Sequence, residues 1–282
     1  MASPERVHVH NHDQISTVNG GYTVVLALIL LVAATSVSMA AEPNEEKAKD
    51  STGTNPINFT NDFRIYMELQ GLNAGKNSGG QMMTFEYRKP IGDDWQVRTR
   101  LRGVSRSLDV DADGRSETTT GVGDFDVRLL TIPHLAKTWA VATGIEVTLD
   151  TATDDLLGEG KWLLGPQVFL VSFSPFGIPG TLFAPAYQHV FHVAGDGDRA
   201  DVNRSLIDLF IVWISPDKKN WIVVDPQIII DHENDEEYSL VDVELGQMMF
   251  GGLSSYIRPS VGIGADRPLD WSAELGFKVI WR

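Results

Sequence analysis

Cysteine is absent from the chain, which excludes a disulfide framework and thiolate metal sites, and suits a protein that crosses an oxidising compartment. Basic charge is scarce: 23 Lys and Arg stand against 38 Asp and Glu, for a formal net charge of −15. That balance excludes a nucleic-acid partner, which needs clustered Lys and Arg on one basic face. Helical periodicity is also missing. From Ile57 onward no apolar repeat of 3.6 residues is sustained, so an amphipathic-helix architecture is excluded. What remains is a body with 43% hydrophobic and 22% charged residues, too apolar for a disordered chain. It folds, and it does so with a period of two.

The N-terminus carries one long apolar run, Val24 to Ala34, followed by Thr35 to Ala41, where Ser38 and Ala40 supply the small-x-small ending of a cleavage site. The expectation is a signal peptide over residues 1–40. The rival is an uncleaved anchor, since Tyr22 to Ala41 is charge-free over the roughly 20 residues that a membrane helix needs. Cleavage removes Glu5, Arg6 and Asp13 and leaves a mature charge near −14. Residues 41–56 follow with almost no bulky apolar side chain and read as a flexible tether on the periplasmic side. Residues 57–282 form the folded body.

Within that body the charges obey parity. Successive side chains on a strand face opposite sides of the sheet, so charges confined to one face must share odd or even numbers. Asp62, Arg64 and Glu68 alternate with Phe63, Ile65, Met67 and Leu69; Glu86 and Arg88 with Met83, Phe85 and Tyr87; Arg98, Arg100, Arg102 and Arg106 with Trp95, Val97, Thr99 and Leu101. Asp124, Asp126 and Arg128, then Glu146, Arg204 and Asp208, Asp225, Asp242 and Glu244, and Glu274 and Lys278 repeat the pattern along later strands. A soluble sandwich gives the same period, so three further features decide between lipid and a water-soluble core. Connections alternate between short (Pro90 to Asp94, Pro133 to Lys137, Ser174 to Gly180, Ser215 to Asn220, Phe250 to Ser254) and longer polar ones (Gly71 to Gly80, Ser107 to Thr119, Asp150 to Gly160, Ala194 to Asp201, Asp231 to Ser239, Ala265 to Asp270). All seven tryptophans lie near expected strand ends, as an interfacial girdle requires. The chain ends inside a strand of alternating aromatics, Trp271 to Trp281, fit to close a ring. The fold class expected is all-β: a transmembrane antiparallel β-barrel of about twelve strands with periplasmic N- and C-termini, in a bacterial outer membrane.

Three stretches stand out in that body: Gly121-Val-Gly-Asp124; Leu149 to Trp162, reading LDTATDDLLGEGKW, with Gly165-Pro166; and Ala194 to Asn203, reading AGDGDRADVN. Through them the chain, from about Asp93 to Arg282, resembles bacterial outer-membrane barrel proteins classed as transporters of the phenol-degradation meta-pathway type. The resemblance implies a barrel of about twelve strands and uptake of small hydrophobic or aromatic compounds. The terminal Arg282 after Trp281 departs from the aromatic ending of many barrels.

The expected lumen is lined by Arg98, Arg100, Arg102, Arg106, Glu86, Arg88, Asp124, Asp126, Arg128, Glu146, Asp225, Asp242, Glu244, Glu274 and Lys278. The arginines of one strand stand about 6.8 Å apart along one face. They either pair with carboxylates of the flanking strands, chiefly Glu86, Asp124 and Asp126, or form a cationic path for carboxylates and phenolates. Asp109, Asp111, Asp113 and Gly114 copy the first half of a calcium loop, but Thr120 stands where its bidentate Glu belongs, so a weak outer calcium site competes with a solvated acidic loop. No other cofactor is expected. Partners expected are outer-membrane lipid and lipopolysaccharide, facing the acidic outer loops, the solute, and the barrel assembly machinery. The chain is not expected to be an enzyme: His189 and His192, the closely spaced histidines of the body, fall on opposite strand faces, and no G-x-S-x-G motif accompanies them. Passive uptake through a narrow charged lumen is the leading reading. A structural or adhesive barrel without transport is the alternative, with a calcium-dependent lipid hydrolase behind it.

Overall fold

The computed structural model describes residues 52–74, 78–109 and 116–281. The expected signal peptide, residues 41–51 of the tether, and the candidate calcium ligands Asp111 and Asp113 lie outside the described residues, as does the side chain of Asp109.

Among the described residues thirteen strands follow one another: β1 (Asn61–Leu72), β2 (Gly79–Ile91), β3 (Trp95–Asp109), β4 (Ser116–Val122), β5 (Phe125–Leu135), β6 (Trp139–Leu149), β7 (Lys161–Phe173), β8 (Thr181–Gly195), β9 (Asn203–Ile214), β10 (Asn220–Asp231), β11 (Glu236–Phe250), β12 (Leu253–Ile263) and β13 (Leu269–Trp281). Each pairs antiparallel with its neighbours, and β1 pairs with both β2 and β13, which closes the ring. Thirteen strands occupy twelve positions. The lower part of β3, Trp95 to Arg100, pairs with β5, and its upper part, Gly103 to Asp109, pairs with β4. β4 and β5 are therefore one staircase strand broken at Gly123 and Asp124. The described residues of the expected loop from Ser107 to Thr119 are strand, because Ser105 to Asp109 and Ser116 to Thr120 continue the ladder.

Closure pairs the spanning strands on both sides and leaves only the short β4, which pairs with β3 alone, with a free edge among the described residues; pairing is obligatory where no water is present to satisfy backbone groups. The side chains sort as an inside-out protein. Phe63, Met67, Leu69, Met83, Phe85, Leu101, Ile211, Leu245, Leu275 and Phe277 are exposed on the outer wall, while Asp62, Thr84, Glu86, Asp126, Glu244 and Lys278 are buried on the inner one. Only a hydrocarbon surround makes both choices favourable at once. Strands of 11 to 15 residues, β4 excepted, meet or exceed the roughly 9–11 that a tilted strand needs to cross a bilayer. Trp95, Trp213 and Trp281 face outward at the end that carries Asn61 and Trp281, and Trp162 and Trp271 do so at the other. Trp221 is the correction to the expected girdle: it sits 1% exposed inside the ring.

Candidate functional site

The inner wall of β1 to β6 is a ladder of ion pairs. Asp126 on β5 lies between three arginines of β3, at 2.8 Å from Arg100 Nε, 2.6 Å from Arg102 Nη2 and 3.7 Å from Arg98 Nη2. Glu146 on β6 takes hydrogen bonds from Arg98 and, at 3.1 Å, from Arg100. One strand further back, Glu86 meets Arg88 at 2.5 Å and Arg64 at 3.4 Å, and Arg64 also meets Asp62 at 2.7 Å. Part of this pairing follows from register: Arg64, Glu86, Arg100 and Asp126 are consecutive Cα partners, so signs alternate across these four strands. The ladder is thus mostly self-neutralised, with Arg106 left exposed at its upper end.

Asp124 has a different task from the arginine pairing expected of it. Its Oδ1 accepts from the backbone N–H of Thr151 and Ala152, both at 3.1 Å, and its Oδ2 from that of Glu159 at 2.8 Å. Arg102 reaches its backbone carbonyl instead, at 2.9 Å. The 150–160 connection is drawn inward by this carboxylate, and Leu157 on it is buried. Gly158 is required there, since a Cβ would stand 2.6 Å from Asp124 Oδ2. At the β4/β5 break, Thr151 and Thr153 hydroxyls accept from the N–H groups of Phe125 and Val122 at 2.9 and 3.0 Å, so no ladder donor there is stranded. Arg199, from the 196–202 connection, donates to the Gly158 carbonyl at 2.7 Å and lies 3.5 Å from Asp155. Arg204 meets Glu159 at 2.7 Å, and Lys161 meets Asp201 at 3.0 Å. The Lys161 ammonium, hydrogen-bonded to Asp201, holds that loop carboxyl below the usual carboxylate range. The three sequence motifs singled out above therefore converge on one inward-folded closure.

At the opposite end, residues 52–60 enter the ring. Thr52, Thr54 and Ile57 are buried, Arg64 Nη2 donates to the Gly53 carbonyl at 3.0 Å, and Ile57 and Phe59 join an apolar cluster with Ile132, Ala140, Val171, Leu182, Val212 and Trp221. Residues 52–56, the part of the expected tether that is described, are packed in this plug. Beside it, Lys278 Nζ stands 4.4 Å from the Trp221 ring centre and 3.5 Å from Glu244, and Trp221 Nε1 donates to Glu244 at 2.5 Å. Arg258 also donates to Glu244. The Trp221 indole lies flat over Gly246 on β11, where any Cβ would overlap it.

Between the two closures the lumen holds cavities of about 210 and 510 Å³, both lined by Met82 and Arg102. The smaller is bounded by Arg100, Arg258, Glu68, Asp242 and Glu274, and the larger by Arg106, Asp126, Glu146 and residues 155–159. In fold this chain is similar to solved outer-membrane channels. An outer-membrane channel from Pseudomonas putida F1 superposes with a TM-score of 0.62 at 12% identity, over 85% of this chain and 100% of that one. The NanC porin gives 0.55 at 13% identity, over 77% and 98%, and the KdgM porin 0.51 at 7%, over 78% and 99%. No family model and no curated protein matches the sequence.

Glu86, Arg88, Arg98, Arg100, Arg102, Asp126, Arg128, Glu146, Asp225, Asp242, Glu244, Glu274 and Lys278 are all buried or half-buried in the ring. Arg128 makes no ion pair among the described residues, and Asp225 meets only Gln227, at 3.1 Å. Sequence reasoning placed Arg64, Glu68 and Asp208 on the charged face but not in the site. It passed over Arg258 and Tyr256, whose even numbers in β12 carry the same parity signal, diluted by Pro259 and three serines. The sequence leaves open whether the tether reaches into the lumen as a plug, because Ile57 and Phe59 are two isolated apolar residues in a polar stretch.

Proposed function

We propose that this chain is a pore of the bacterial outer membrane for small organic solutes, passive, narrow and closed at rest. The observation that supports it is the pair of adjoining cavities, about 210 and 510 Å³, lined by the charged inner wall of an outwardly apolar barrel, the larger bounded by the inward loop. A purely structural barrel has no need of interior space lined by ordered charges. Hydrophobic or aromatic solutes of the kind implied by the sequence resemblance find support in the apolar seat of the plug, around Ala140, Ala142, Ala184 and Val212, which such a solute meets once Ile57 and Phe59 withdraw. The arginine ladder speaks against a purely anionic path, because Asp126 and Glu146 partly neutralise Arg98, Arg100 and Arg102. In this reading both termini lie in the periplasm, the signal peptide is removed after Ala40, and the acidic loops face outward toward lipopolysaccharide.

A closed structural barrel is the second reading, favoured by the burial of Ile57 and Leu157 at the two ends of the lumen. Planar-bilayer conductance and uptake of radiolabelled aromatic solutes into liposomes separate the two. The pore reading expects stepwise conductance and uptake above empty liposomes, increased when residues 52–59 are deleted. A barrel that stays impermeable with the plug deleted overturns it.

A further inference from the structure

The two walls that face each other across the lumen differ in charge. On β2 to β6 the inward arginines outnumber the inward carboxylates, whereas β9 to β11 present Asp208, Asp225, Asp242 and Glu244 against the single inward cation Arg204, which is paired with Glu159 at the upper end of β9. Like charges even stand directly opposite one another: Glu68 and Glu274 are Cα partners on β1 and β13, and so are Asp225 and Asp242 on β10 and β11. Such juxtapositions are unfavourable when left uncompensated.

The 210 Å³ cavity lies where the walls meet, lined by Arg100, Arg102 and Arg258 on the one hand and Glu68, Asp242 and Glu274 on the other. Glu274 is 9% exposed, yet its Oε1 has no hydrogen-bond partner, and its nearest cation, Arg258, stands 3.7 Å away while bonded to Glu244. Glu68 makes no ion pair among the described residues. Arg100 and Arg102, across the cavity, keep guanidinium donors beyond the bonds they give to Asp126, Glu146 and the Asp124 carbonyl. We infer that this cavity binds small zwitterions of the α-amino acid type, their ammonium taken by Glu68 and Glu274 and their carboxylate by Arg100 and Arg102. A zwitterion matches the site because three cationic and three anionic side chains bound the space, so a solute of either single sign leaves one wall unmet. The ammonium supplies the donor that Glu274 Oε1 lacks and relieves the opposed carboxylates. A cavity of about 210 Å³ admits a small aliphatic side chain beside the two charged groups. The inference rests on the pore reading, since only a solute that enters the lumen meets this cavity.

The test is calorimetric titration of the purified, full-length mature barrel in detergent micelles with L-valine, isovalerate and isobutylamine, which share the alkyl group and differ in charge. Valine is expected to bind at least tenfold more tightly than either analogue. The double variant Glu68→Gln, Glu274→Gln, its folding checked by heat-modifiable migration, is expected to lose at least tenfold for valine and to leave isovalerate unchanged or improved. Equal binding of all three solutes, or isobutylamine or isovalerate binding as well as valine, overturns the inference, as does a folded double variant that binds valine normally. Binding in micelles is independent of conduction. Valine bound by a barrel that never conducts refutes the pore and keeps the site, and a conducting barrel that ignores valine does the reverse.

Discussion

Asp126 shows how much depends on one side chain of the ladder. It is 1% exposed and serves three arginines. Removing one partner of a buried ion pair is costly because the survivors keep their charge without its neighbour. Asp126→Asn is expected to destabilise the barrel by about 3 kcal/mol, read as a lower urea midpoint for loss of heat-modifiable migration. The same substitution frees positive charge at mid-lumen and is expected to shift the reversal potential in a salt gradient toward anion selectivity. An unchanged midpoint and potential would show that Glu146 alone satisfies Arg98 and Arg100. Parity made these residues legible from sequence, since it depends only on the pleat. Of the partners it suggested for these arginines, Asp126 pairs with them while Glu86 pairs with Arg64 and Arg88 and Asp124 holds backbone N–H groups, because partners depend on the stagger between strands.

The connections are where element-scale behaviour is decided. The 150–160 connection is held by three N–H groups on the Asp124 carboxylate, each bond to a charged acceptor contributing about 1.5–3 kcal/mol. Asp124→Ala is expected to release the closure, raising conductance and current noise and speeding amide exchange through residues 150–160. Unaltered exchange there would show that Arg199 and Leu157 suffice to hold it. The neighbouring 196–202 connection carries a pH signature. Asp201 has its carboxyl pKa depressed by Lys161, so the pairing contributes fully above the ordinary Asp value of about 3.9 and is lost as pH falls through the depressed one. Amide protection across residues 196–202, corrected for intrinsic rates, is expected to be intact at pH 6 and reduced near pH 3, and an equal protection factor at both would exclude the mechanism. The sequence marked these connections as long and acidic but left open their direction. Inward folding depends on contacts more than 25 residues apart, such as Asp124 with Thr151, Ala152 and Glu159. The β4/β5 break was hidden for a similar reason, as Gly121 and Gly123 read equally well as strand or turn.

For the whole molecule, the closed ring and its outward apolar band followed from period two, alternating connection lengths and aromatic ends. The occupied interior did not. Trp221 has the same near-terminal placement as its outward counterparts, but its odd number puts it on the face of Asp225, and the room it fills there lies over Gly246 across the strand pair, a juxtaposition set by register. The depth of the outer band is itself measurable. Phe85 sits at the middle of β2 and Trp95 at the start of β3. Phe85→Arg is expected to cost about 2–4 kcal/mol and Trp95→Arg about 0–1, the profile of charge placed at midplane and at an interface. Equal costs in a lipid-vesicle folding titration would mean that the band is not embedded where the strand centres lie.

The inside-out sorting also sets how this chain can drift over evolutionary time. On the outer wall a residue must satisfy only a fluid, so Phe63, Met67 or Leu275 can be exchanged among apolar types one at a time without a matching change elsewhere. On the inner wall Arg100 cannot change before Asp126 and Glu146 have an answer. Divergent copies should therefore vary freely where they touch their surroundings and change in linked steps where they touch themselves, so that family resemblance survives in the pairs long after overall identity has faded.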